Sequence, residues 1–141
     1  NGDRAGAADN YRQALEAVKP LVERQPDNPW LLDELAMAHA GLGDEKAAMA
    51  ALDRLLATQP ESKSAQQGRV YLERRAIVLA SIGHKDEAIA RLRYLLGVPY
   101  GGMMAPVTPA SLRLDPEFDP LRDSPEFQKL LRDPPAAKPA P

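Results

Sequence analysis

The side chains here that could do chemistry are two histidines, several adjacent carboxylate pairs and two pairs of arginines. His39 falls on an apolar stripe and His84 in a short turn, neither with His, Asp or Glu beside it at metal-ligand spacing. The carboxylates Asp33/Glu34, Asp44/Glu45 and Asp86/Glu87 are sequence neighbours near expected helix starts, where the helix dipole favours acids. General acid–base catalysis needs two carboxyls facing one cleft from different surroundings, and adjacency does not supply that. Arg74/Arg75 and Arg91/Arg93 lie close to Glu73 and Glu87, which predicts solvated ion pairs rather than a phosphate site. Gly101-Gly102 runs into Met103-Met104 instead of Lys-Ser or Lys-Thr, so it is no phosphate loop, and no Gly-x-Ser-x-Gly elbow occurs. Met103-Met104 is expected to fill a gap between the helices and the tail, the other reading being an adaptable contact surface, because thioethers repack easily. With no cysteine, thiol nucleophiles, disulfides and cysteine-based metal centres are excluded. The expectation is a protein that is not an enzyme, with no catalytic residue, cofactor or metal.

The chain has 141 residues, enough for one core, and its 18 basic and 20 acidic residues leave a net charge of −2. That balance argues against nucleic acid and anionic membranes as partners. No apolar run approaches the roughly 18 residues that span a bilayer. The opening residues show no basic-then-apolar leader, so a signal peptide is expected to be absent or removed and the protein to be cytoplasmic.

Hydrophobic spacing sets the class. Tyr11, Leu15, Val18 and Val22 recur at helical intervals, as do Leu31, Leu32, Leu35, Ala36 and His39, and then Ala48, Leu52 and Leu55. Two more stripes follow: Leu72, Ala76, Leu79 and Ile82, then Ala88, Ile89, Leu92, Leu95 and Leu96. No alternating, β-branched stretch supports a strand, so the fold class is all-α. Prolines 26, 29 and 60 stop helices, and Gly43 and Gly83 follow helix ends as tight-turn residues. Pro20, inside the first stripe, predicts a kink or a helix restart. Residues 98–110 read as a loop, 111–132 as short pieces opened by Asp115-Pro116, Asp119-Pro120 and Ser124-Pro125, and 133–141 as a disordered tail. Seven large apolar residues, Leu112 and Leu114 among them, predict that 111–132 packs on the preceding helices.

Repetition is the strongest pattern. Gly43 and Gly83 stand 40 residues apart, and Leu32/Leu72, Ala36/Ala76, Ala48/Ala88, Leu52/Leu92 and Leu55/Leu95 fall into register. The unit from 29 to 62 has 34 residues. Leu32, Leu35, Ala36, His39, Gly43, Ala48, Leu52, Leu55 and Pro60 resemble the tetratricopeptide repeat pattern, with His39 and Leu52 replacing its usual aromatics and Arg75 an apolar residue. The resemblance covers residues 2–96 and implies a helical solenoid of about two and a half repeats. These are an orphan helix at 4–24, repeats at 29–62 and 66–97, and a capping segment at 111–132. The run Leu114-Asp115-Pro116-Glu117-Phe118-Asp119-Pro120-Leu121 and its flanks resemble the C-terminal repeats of bacterial Ser/Thr kinases, adenylate cyclases and winged-helix regulators. That likeness implies the C-terminal piece of a larger signalling protein.

In tetratricopeptide repeats the first helix of each unit lines a concave groove that holds peptides. Trp30, Asp33, Glu34 and Met37 would line it in the first unit and Val70, Glu73, Arg74 and Ile77 in the second. Such a groove is apolar with acidic edges and would take an apolar or basic protein segment, unless the chain's own tail fills it. A second expectation is assembly: the stripe Tyr11, Leu15, Val18 and Val22, lacking one neighbouring helix, would pair with a second copy as a homodimer.

Overall fold

The computed structural model describes residues 4–98 and 107–136. The chain divides into two compact units, 1–60 and 61–141. Among the described residues there are eight helices and no strand, an all-α, tetratricopeptide-like helical repeat.

The first unit holds α1 (Arg4–Arg24), α2 (Pro29–Gly41) and α3 (Glu45–Thr58). Helix α1 continues unbroken through Pro20, so the expected restart does not occur. Proline removes the amide that would have reached the Glu16 carbonyl, and both residues are exposed, where water can satisfy that carbonyl. Asn28 caps α2 by accepting from the Trp30 amide at 3.1 Å, and Asp44 caps α3 by accepting from Ala47 at 3.1 Å. Arg54 donates to the Pro26 carbonyl at 2.6 Å and ties α3 to the loop before α2. Leu32, Ala36, Ala48, Leu52 and Leu55 are buried, as the repeat register requires.

The second unit repeats the hairpin with α4 (Ala65–Ser81) and α5 (Lys85–Leu96). Gly43 and Gly83 both have left-handed backbones, with φ of 75° and 91°. The amide after each reaches back into its helix, Asp44 to His39 at 2.9 Å and His84 to Leu79 at 2.8 Å. This is the helix stop that glycine adopts without steric cost. The extra residues before α4 form a turn, and helix begins at Ala65 behind the Ser64 cap. Glu61 in that turn accepts from Arg69 Nε at 3.1 Å and from the Tyr94 hydroxyl at 3.0 Å, pinning the turn to α4 and α5.

Three short helices follow: α6 (Pro109–Leu114), a 3₁₀ helix (Pro116–Leu121) and α7 (Pro125–Arg132). The 3₁₀ helix packs on α4 and α5, and α7 packs on α5 and α6. Leu112, Phe118, Leu121, Phe127, Leu130 and Leu131 are buried. Two expectations need correction. Leu114 is 82% exposed, because α6 ends there and the following Asp115-Pro116 turn directs its side chain outward. Asp119-Pro120 lies inside the 3₁₀ helix and opens nothing; the third capped start is Thr108-Pro109. Met103-Met104 and residues 137–141 lie outside the described residues.

Candidate functional site

The predicted groove residues belong to two different units and are described separately. On α2, Trp30, Asp33, Glu34 and Met37 are spaced i, i+3, i+4, i+7 and share one face. Trp30 is 74% exposed, placed in the first turn of α2 by the Asn28 cap and Pro29. Glu34 is exposed, Met37 half-buried and Asp33 buried. Among the described residues of the first unit, Trp30 and Leu21 are the large apolar side chains left exposed.

On α4, Val70, Glu73, Arg74 and Ile77 share the equivalent face, and there the chain's own tail is the occupant. Arg74 Nη1 donates to Glu117 Oε1 of the 3₁₀ helix at 3.1 Å. Arg74 thus has a partner in the tail in addition to its electrostatic interaction with Glu73 on its own helix. Ile77 is buried and Val70 half-buried. Glu73 is half-buried, and burial pushes its carboxyl above the usual value. Asp115 and Glu117 push in the same direction, while Arg74 opposes them. The α4 face is thus an occupied site, carrying a segment of stated sequence.

Two arginines that the sequence pattern does not single out hold that segment in shape. Arg122 donates from Nε to Asp119 Oδ1 at 2.6 Å and from Nη2 to the Asp115 carbonyl at 3.2 Å, and Nη1 reaches the Arg113 carbonyl. Arg113 donates to the Leu131 carbonyl at 2.6 Å, closing α6 onto the end of α7. Short helices leave many carbonyls without helical partners, and a five-donor guanidinium can serve several at once. A proline-punctuated stretch containing arginines was the available signal.

The histidines have local roles. His39 Nδ1 lies 3.3 Å from Asp44 Oδ2, and His84 Nδ1 lies 3.4 Å from Glu87 Oε1. Among the described residues no group of three or more metal-ligating side chains comes together, and no helix is long and apolar enough to cross a membrane.

The stripe assigned to self-association faces inward. Helix α1 packs on α2, Val18 and Val22 are buried, and Tyr11 and Leu15 are half-buried. Tyr11 lays its ring against Gly41 so closely that any side chain there would collide with it. The apolar row left bare on α1 is instead Ala7, Ala14 and Leu21, the last 43% exposed. The reason is one of phase: α2 covers the centre of the stripe, so only its flank remains.

Comparison with known proteins adds a family likeness over part of the chain. A tetratricopeptide repeat model matches residues 5–70, from α1 to the start of α4. No curated protein and no solved structure matches the chain. Tetratricopeptide repeats are non-catalytic modules that generally mediate protein–protein interaction.

Proposed function

We propose that this chain is a protein-binding module at the C-terminal end of a larger cytoplasmic bacterial signalling protein, and that it holds an apolar or basic partner segment along the exposed face of α2. The observation that carries this reading is Trp30, a residue type that dominates interface energetics, standing 74% exposed beside Glu34 and Met37. The corresponding face of α4 carries the 3₁₀ helix through Arg74 and Glu117, which favours the α2 face as the one that takes a partner. The signalling context rests on the likeness of residues 112–127 to the ends of such proteins. The test is quantitative capture from bacterial lysate with the natural chain and with Trp30→Ala. Partner recovery should fall about tenfold, the ~1.4 kcal/mol expected at least of a hot-spot aromatic. Equal recovery from a variant with unchanged circular dichroism refutes the assignment.

A second reading, self-assembly through α1, is favoured by the bare row Ala7, Ala14 and Leu21. It predicts a dimer by light scattering that Leu21→Glu converts to monomer; a monomer at all concentrations rejects it.

A further inference from the structure

The two hairpins are in register at a 40-residue offset, so each position on the α2 face has a counterpart on α4. Trp30 corresponds to Val70, Asp33 to Glu73, Glu34 to Arg74 and Met37 to Ile77. The α4 face has a visible occupant, and that occupant shows what such a face accepts: a proline-opened turn with a charged residue followed by an aromatic. Pro116 starts it, Glu117 meets Arg74 at 3.1 Å, and Phe118 and Leu121 are buried where the 3₁₀ helix packs on α4 and α5.

From this internal template we infer that the α2 face takes a segment of the same build with the charge reversed: proline, then lysine or arginine, then an aromatic. Glu34 stands in the register of Arg74, so the residue that replaces Glu117 has to be a cation. Trp30 stands in the register of Val70 and offers a larger apolar surface to the aromatic and the proline. Charge also decides against one obvious occupant. The tail of a second copy of this chain would place Glu117 against Glu34, two like charges at the position where the α4 face has an ion pair. The ligand is therefore a foreign segment of basic–aromatic character. This inference rests on the proposed binding role of α2 and specifies the chemistry of what binds there.

Trp30 is the only tryptophan in the chain, so its emission reports on the α2 face alone. Two synthetic peptides of residues 112–123 serve as probes against the full chain, one unchanged and one with Glu117→Lys; neither contains tryptophan. The Glu117→Lys peptide should shift Trp30 emission to the blue and bind roughly three- to tenfold more tightly than the unchanged one, a modest ratio because both charges are partly hydrated. Glu34→Lys, an exposed position, should reverse the order. If both peptides shift Trp30 equally, or Glu34→Lys leaves the order as it was, the charge rule is wrong while the binding role of α2 stands. If neither peptide moves Trp30 yet Trp30→Ala still loses its lysate partner, the segment class is wrong and the binding role again survives. If the lysate partner is retained as well, both fall.

Discussion

Phe118 offers the sharpest test of how the tail is held. Its ring is 1% exposed on a six-residue 3₁₀ helix, an element too short to persist in water by its own hydrogen bonds. Packing on α4 and α5 must therefore supply the stability, with Leu121 buried beside it. Phe118→Ala removes the transfer free energy of the ring and leaves a cavity that the prolines on either side limit from collapsing. A loss of about 3–5 kcal/mol is expected, a large share of the roughly 5–15 kcal/mol that holds a typical domain. Leu114→Ala is the internal control: the same segment and a residue of similar hydrophobicity, but 82% exposed, so the change should stay within about 0.5 kcal/mol. Urea denaturation of the full chain followed by far-UV circular dichroism gives both values. Hydrogen exchange should localise the Phe118→Ala effect to peptides covering 65–96 and 109–132. Equal costs for the two variants, or a loss below about 1 kcal/mol for Phe118→Ala, would falsify the packing argument.

Three further outcomes are expected. Glu73 has a folded-state carboxyl raised above its ordinary value of 4.5, so its contribution is fully present below that value and is lost as pH rises through the raised one. Glu73→Gln should therefore stabilise the chain at pH 7 and flatten the stability profile upward of pH 4.5; a variant less stable at pH 7 contradicts this. Gly83→Ala forces an L side chain to φ of 91° and should cost about 1–2 kcal/mol in a thermal melt, with unchanged melting counting against the turn geometry. Gly68→Ala places a Cβ 2.7 Å from the Glu61 backbone, so it should destabilise by about 1–3 kcal/mol despite alanine's better helix propensity. Its signature is a Tyr94 titration that moves down toward the ordinary tyrosine value, since burial and the Glu61 hydrogen bonds hold it above that value.

What the sequence determined by itself is everything that depends on neighbours within about five residues. Apolar spacing of three and four defines α1 to α5, the prolines at 26, 29 and 60 end or open helices, and the glycines at 43 and 83 close the hairpin turns. The repeat register follows from the same local rules applied twice, and with it the pairing of Trp30 with Val70 and Glu34 with Arg74. Tertiary structure alone decided what those faces meet. Arg74 and Glu117 are 43 residues apart, and no local rule chooses between that carboxylate and the adjacent Glu73. Leu112 and Leu114 have the same side chain two positions apart, yet one is fully buried and the other bare, because a six-residue helix has only one face to give. The same holds for α1, whose stripe is legible as apolar but whose covered centre and bare flank depend on the angle at which α2 arrives. Arg113 and Arg122 became structural only once the folded tail presented carbonyls to them. Local sequence specifies which surfaces exist, and the path of the chain between them, set by packing over tens of residues, specifies which are filled.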